Sequence, residues 1–363
     1  MNRALHHFRK QVLRRTLFSA RSLADAFRQL GFVQADPIRS PARAQDLILR
    51  QRVRGYEAGD LEQAYPQLPL EEAFLFAYGF ASKELWGWMH PKPTHELSAE
   101  QQQVLKLLRT GGPMHPRDLE AHLGSSNTRN AWGGTSRTSK VILERLHDRG
   151  LIRVARRESG IRVYEFIAPP AQAASAAERY QELLLASLQA MGASSRGFLI
   201  KELGYHGYLA GNRSARIALL DQLIDQGRIR VDHIEQMEYL SLPDGKEGRL
   251  NPDRLRILAP FDPVVRDRTR FEQFWGWAYR FEAYTPAAKR KMGYYAMPLL
   301  WREEVIGWAN ASVQQGTLSC RLGLLKPAAE DPAFQAAAEQ EIESMTRFLG
   351  LPSGHWELYM EAT

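Results

Sequence analysis

Gln34 and Asp36, separated by one alanine in the run GFVQADPIRS (residues 31–40), are the residues of this chain whose types and spacing most invite chemistry. On an extended strand side chains alternate. Both would therefore project from the face that carries Phe32, while Val33 and Ala35 point to the core. A carboxylate and a carboxamide presented together are suited to orienting water, taking a proton from it, or stabilising a developing positive charge. The same residues have a plain structural use. Asp before Pro is a common pair at a helix start, where Asp36 would accept backbone N–H groups and Pro37 would occupy the first helical position. Three residues do not choose between cap and catalyst, and the two roles are compatible.

The elements that must position the pair are legible as an internal repeat. Residues 141–154, VILERLHDRGLIRV, align without gaps on residues 218–231, ALLDQLIDQGRIRV. In each copy apolar residues at helical spacing run to a glycine suited to a left-handed C-cap, Gly150 or Gly227, and a strand of alternating character follows. Before the first copy lie predicted helices at 99–109 and 117–123, and after it a hairpin with its turn at Glu158–Gly160. The second copy has helices at 177–191, 197–203 and 213–226 and the hairpin IRVDHIEQMEYLSL. Helix, helix, longer helix and hairpin is the winged-helix pattern. A fainter version opens the chain: helix 22–30, Gly31, then the strand FVQAD that carries Gln34 and Asp36. PPAQAASA (169–176) reads as a linker. After Pro252 the sequence turns aromatic, and FWGWAYRFEAY, GYYAMPLLWREEVIGWANASV and TLSCRLGLL read as antiparallel strands of a small barrel or sheet, followed by a helix at 332–349 and a last strand. The expected fold class is thus α+β: three tandem winged-helix units at 1–96, 97–170 and 171–250, and a β-barrel-like domain at 251–363.

Composition narrows the partners. The chain of 363 residues has a net charge of +7, and residues 1–54 hold twelve Lys/Arg against three acids, Asp25, Asp36 and Asp46. Such an excess fits either a polyanionic partner or a solvated arginine-rich surface. The one cysteine, Cys320, rules out an intrachain disulfide and a cysteine-based zinc site, and the scattered histidines suggest no metal. No cofactor is expected. The basic start lacks the apolar core of a secretory signal and no run approaches membrane-spanning length, so no membrane is expected and the localisation read from the sequence is cytoplasmic. Trp86, Trp88, Trp275, Trp277 and Trp301 read as core rather than as base-stacking platforms.

The sequence resembles the AlkZ/YcaQ-type DNA glycosylases, a bacterial family that releases alkylated and crosslinked bases. Gln34-Ala35-Asp36 is similar to the family's catalytic motif in its Q-x-D form. Residues 150–164, GLIRVARRESGIRVY, resemble a helix end and wing. Residues 257–268, ILAPFDPVVRDR, and 284–300, YTPAAKRKMGYYAMPLL, resemble the segments that open its C-terminal domain. The similarity is collinear over essentially the whole chain. It departs at Phe76-Ala77-Tyr78, where Trp-Ala-His is usual, and after Gly307, where WANASVQQ replaces a charged strand.

The resemblance implies a monofunctional glycosylase that hydrolyses the N-glycosidic bond of N7-alkylated purines and extends to interstrand crosslinks, acting on double-stranded DNA as a monomer. An N7-alkylated purine leaves as a good leaving group without a strong general acid. One carboxylate, Asp36, then remains to stabilise an oxocarbenium-like sugar and to orient or deprotonate water that Gln34 holds by its amide. No lysine lies in the motif to form a Schiff base. Arg39 and Arg43, one helical turn apart if the helix runs from Pro37, are candidate phosphate contacts, as are Arg50, Arg52 and Arg54. Arg137 and Lys140 on the polar face of the second unit's long helix, and Lys289, Arg290 and Lys291 inside a matched segment, are further DNA-binding candidates. The alternative reading is a non-catalytic winged-helix DNA-binding protein or transcriptional regulator.

Overall fold

The structure is a computed structural model; it describes residues 3–92, 96–124, 127–129, 135–168, 170, 174–244, 247–325 and 331–362. The expected linker at 169–176 lies partly outside them. The fold is mixed α+β and falls into two compact units. One comprises Met1–Leu61, Leu185–Lys201 and Asp221–Thr363, and the other Glu62–Leu184 and Glu202–Leu220.

The two repeat copies fold alike locally. In the first, helices Ala99–Gly111, Pro116–Leu123 and Thr138–Asp148 precede the hairpin Ile152–Glu158/Ile161–Phe166. In the second, Arg196–Glu202 and Arg213–Asp225 precede the hairpin Arg230–Ile234/Met237–Ser241. The helix-ending glycines take the left-handed conformation that the sequence asks of them, with φ of 74° at Gly150 and 70° at Gly227. A third strand element joins each hairpin: Met114 bridges Tyr164, and Ser194–Ser195 pair with Tyr239 and Leu240. The apolar face of Thr138–Asp148, formed by Val141, Ile142, Leu143 and Leu146, is buried.

In the Glu62–Leu184 unit, strands Leu70–Phe74 and Tyr78–Ser82 form an antiparallel hairpin. Tyr78, one of the departures from the family pattern, donates its hydroxyl to Glu72 at 2.5 Å. Arg157 meets the same carboxylate at 2.7 and 2.6 Å, and Arg162 lies at 3.3 Å. Burial works to raise the Glu72 carboxyl, but the hydrogen bonds and charges of Arg157 and Arg162 outweigh it and hold the group below its usual range. Tyr78 is thus part of a paired, buried ion cluster.

In the other unit, strands Arg256–Ile257, Met297–Trp301, Glu304–Gln314, Thr317–Leu324 and Trp356–Ala362 form one sheet in that order. It is open, not a barrel: Arg256–Ile257 and Trp356–Ala362 are its two edges among the described residues. The reason is the helix Pro332–Phe348. It carries the chain back so that the last strand pairs parallel to Thr317–Leu324, and it covers the sheet with Phe334, Ala338, Ile342 and Met345, all 0% exposed. A sheet whose apolar face is covered by a helix need not close on itself.

The expected strand FWGWAYRFEAY is also not a strand. Its first residues end the helix Arg268–Trp275, which Asp267 caps by accepting from the Arg270 N–H at 3.1 Å and which stops at Gly276 in the left-handed region. Trp275, Trp277 and Tyr279 then pack around Phe271 with ring centroids 4.7 to 5.9 Å apart. Trp86, Trp275 and Trp301 are buried; Trp88 and Trp277 are half-buried.

The N-terminal basic excess is partly interior. Among the described residues four of the twelve arginines and lysines before position 55 are buried: Arg9, Arg15, Arg50 and Arg52. Arg50 pairs with Glu341 at 2.8 Å, and Arg52 takes both oxygens of Asp262 at 2.8 and 2.9 Å while donating to the carbonyls of Thr16 and Ile48. These two arginines hold the fold and are not free to meet phosphates. Arg54 is exposed, with Nε donating to the Ser19 hydroxyl at 3.1 Å.

Candidate active site

The strand bearing Gln34 is shorter than the sequence suggests. The helix Leu23–Leu30 is capped by the Ser22 hydroxyl and ended by Gly31 at φ 69°, and the strand that follows covers only Phe32–Gln34. Phe32 and Val33 are both 2% exposed, so strand alternation does not set up a shared face of Phe32, Gln34 and Asp36. Asp36 lies past the strand, in an irregular segment.

No helix starts at Pro37. The next one, Ala44–Arg50, begins after Arg43, and the reason is local. Pro41 has no N–H to give the carbonyl of Pro37, and it excludes Ser40 from the helical region. Asp36 therefore caps a turn instead of a helix: its Oδ1 accepts the Ile38 N–H at 2.9 Å. Its own N–H donates to Oε1 of the buried Gln45 at 3.4 Å. The segment is tied down further by Ser40, whose hydroxyl donates to the Ala311 carbonyl at 3.3 Å. Ala311 belongs to the uncharged WANASVQQ run, and its neighbour Asn310 donates through Nδ2 to the Met292 carbonyl at 2.5 Å.

Gln34 meets a partner far along the chain. Arg266 donates through Nη1 to Gln34 Oε1. An arginine only donates, so the amide oxygen must face it and the Gln34 NH₂ must face away. Arg266 ends the one-turn helix Pro263–Arg266, which Asp262 caps by accepting from the Val264 N–H at 3.0 Å. The Asp262 carboxylate is the one that Arg52 grips, and both side chains are 0% exposed. One buried ion pair thus joins the turn that carries Arg266 to the residues just after the helix Ala44–Arg50.

The electrostatics favour a poised carboxylate. Burial raises the Asp36 pKa above its ordinary value of 3.8, and the Ile38 N–H offsets this only in part. Tyr295, 1% exposed, stands near enough that its hydroxyl is pushed up first by burial and then by the Asp36 charge. That hydroxyl has no hydrogen-bond partner among the described residues.

Of the other candidates, Arg39 is exposed and Arg43 half-buried, and both are close enough to Asp46 for their charges to oppose the rise that burial imposes on it. They share the Asp36 segment but not a helical turn, because no helix connects them. Lys289 and Lys291 are exposed and Arg290 is half-buried, its guanidinium 5.0 Å from the Tyr294 ring centroid. Arg137 caps Thr138–Asp148 with its backbone and pairs with Glu120 at 3.3 Å, and Lys140 lies 3.9 Å from Glu144. These two belong to the Glu62–Leu184 unit, whereas Gln34, Asp36, Arg39, Arg43 and residues 289–291 belong to the other.

Arg266, Gln45 and Tyr295 escaped the sequence reading. No periodicity marks them, although Arg266 and Tyr295 sit in the two C-terminal segments, 257–268 and 284–300, that carried the family resemblance. Among the described residues no group of three or more His, Cys, Asp or Glu is gathered as for a metal ion, and no helix is long and apolar enough to cross a membrane. A family model described as DNA glycosylase AlkZ-like matches residues 27–348, a span that includes Gln34, Asp36, Arg266 and Tyr295. The chain belongs to the AlkZ-like DNA glycosylase family.

Proposed function

We propose that this DNA glycosylase hydrolyses the N-glycosidic bond of N7-alkylated purines in double-stranded DNA, including those within interstrand crosslinks, with Asp36 and Gln34 as its catalytic pair. The observation that carries the reading is the orientation of Gln34. With its oxygen held by Arg266, its NH₂ is left to donate to a water oxygen. Asp36 complements it: Oδ1 is engaged by Ile38, and Oδ2 remains to accept a proton from that water. A carboxylate with a raised pKa is also a better base.

In this mechanism the alkylated purine carries positive charge and departs with the bonding electrons, which neutralises it. The sugar becomes oxocarbenium-like at C1′, where the Asp36 charge stabilises it. Water held between Gln34 and Asp36 adds to C1′ and gives its proton to Asp36, leaving an abasic site. The Asp36 segment has no lysine to form a Schiff base, which supports a monofunctional course.

The helix–helix–hairpin runs support reading residues 97–170 and 171–250 as winged-helix units, with 1–96 as an elaborated third. Arg39, Arg43, Arg137, Lys140, Lys289, Arg290 and Lys291 are the proposed phosphate contacts of an enzyme that works as a monomer in the cytoplasm, on the nucleoid. The test is release of free N7-methylguanine from a duplex with one such lesion, followed by chromatography. Release by wild type and its loss in Asp36→Asn are the expected results. Tight binding without release, on methylated and crosslinked duplexes alike, would establish the non-catalytic DNA-binding alternative instead.

A further inference from the structure

We propose that Tyr284 is a nucleobase-stacking platform beside the Asp36 site. The residue is 81% exposed, against 47% for Tyr359, the next most exposed large hydrophobic among the described residues. A single exposed aromatic is ordinary in itself. What sets this one apart is the loop that presents it. The buried Glu282 carboxylate accepts the Lys291 and Met292 N–H groups, each at its shorter contact within 2.9 Å, and the Glu282 carbonyl accepts the Thr285 N–H at 2.9 Å. Arg290 closes the loop by donating through Nε to the Thr285 carbonyl at 2.8 Å. Tyr284 therefore stands on fixed backbone, so little ordering is left to be done when a ligand lands on it.

Its surroundings name the ligand. The ring meets Phe281 edge-on at 6.1 Å, Phe281 meets Tyr295 edge-on at 5.3 Å, and the Tyr295 hydroxyl feels the Asp36 charge. Two aromatic contacts thus link the platform to Tyr295, and Met292, held by Glu282, accepts from Asn310, the neighbour of the Ala311 that Ser40 of the Asp36 segment meets. Lys289, Arg290 and Lys291 flank it, and the loop's one acid, Glu282, is buried and occupied. An exposed π-face set among cations fits a polyanion with flat bases, which is nucleic acid. Stacking ignores base identity, so the platform would receive a base next to the lesion whichever purine is damaged.

The placement beside the reactive sugar rests on the function proposed above, and the experiment separates the two. A duplex carries a 2-aminopurine on either side of N7-methylguanine, and its fluorescence, its Kd and base release are measured for wild type, Tyr284→Phe, Tyr284→Trp and Tyr284→Ala. Wild type, Tyr284→Phe and Tyr284→Trp should quench one of the two reporters. Tyr284→Ala should lose that quenching and bind about 5- to 150-fold more weakly, the equivalent of about 1–3 kcal/mol of stacking. Undiminished quenching and affinity in Tyr284→Ala would overturn the platform while base release by wild type kept the glycosylase reading intact. Tyr284-dependent quenching by a wild type that releases no base would do the reverse.

Discussion

Arg266 touches Gln34 and offers a clean way to ask whether the amide is positioned for chemistry. Arg266→Met removes the charged donor and leaves the Gln34 amide free to rotate. A hydrogen bond from a charged donor contributes about 1.5–3 kcal/mol, and both side chains are partly exposed, which favours the lower end. At about 1.4 kcal/mol per decade, single-turnover base release should slow roughly 10-fold. The decisive comparison is a double-mutant cycle with Gln34→Ala. If Arg266 acts by holding Gln34, it has nothing left to hold once the amide is gone, and Arg266→Met in the Gln34→Ala background should cost less than about 2-fold. Gln34→Glu adds a third point: its carboxylate still accepts from Arg266 but offers no N–H to water, so the rate should fall while thermal stability holds or rises. Multiplicative losses in the cycle, each mutation costing the same alone and together, would refute the positioning argument.

Asp36→Asn can still accept the Ile38 N–H and Asp36→Ala cannot, so only the alanine variant should lose stability, by about 1 kcal/mol in urea unfolding, while both lose base release. Because burial raises the Asp36 pKa, the acid limb of the wild-type rate should lie above pH 3.8. The sign for stability follows: a carboxyl whose folded pKa is raised favours the fold while protonated and loses that contribution as pH rises through the folded pKa, so the advantage of Asp36→Asn over wild type should grow as pH rises from 3.8 through the folded pKa and level off above it. Arg52→Met strands the Asp262 carboxylate in a fully buried site and should cost about 3–5 kcal/mol by urea unfolding, with Arg52→Met/Asp262→Leu recovering much of it. Replacing exposed Lys289 and Lys291 with Gln should flatten the slope of log K against log salt by about 0.9 per lysine, and an unchanged slope would remove both from the phosphate contacts.

What was legible in the sequence was local. The helix–glycine–strand junctions at Gly31, Gly150 and Gly227 and the buried face of Thr138–Asp148 follow from short-range patterns and are present, and the hairpin turn expected at Glu158–Gly160 is found one residue tighter, at Ser159–Gly160, because Glu158 pairs with Ile161. The misreadings came where a second local effect intervened. Pro41 prevents the helix that Pro37 seemed to begin. Asp267 and Gly276 make a capped helix end out of an aromatic run that looked like a strand. Arg50 and Arg52 looked like solvated or phosphate-facing arginines because their partners, Glu341 and Asp262, lie 291 and 210 residues away. The same separation hid Arg266, since no spacing rule links it to Gln34.

That separation has a consequence for how the enzyme is made. Gln34 and Arg266 are 232 residues apart, and Glu62–Leu184 fold as part of another unit in between. Ribosomes add about 5–20 residues per second, so the strand carrying Gln34 waits roughly 10–50 s for its partner. Over the first part of that interval, until Leu185–Lys201 and the chain from Asp221 are made, the first 61 residues lack the rest of their own unit, and the partners of Arg50 and Arg52 come later still. A nascent chain therefore carries a basic, unfinished segment, and Gln34 has no arginine to hold its amide until synthesis has passed Arg266.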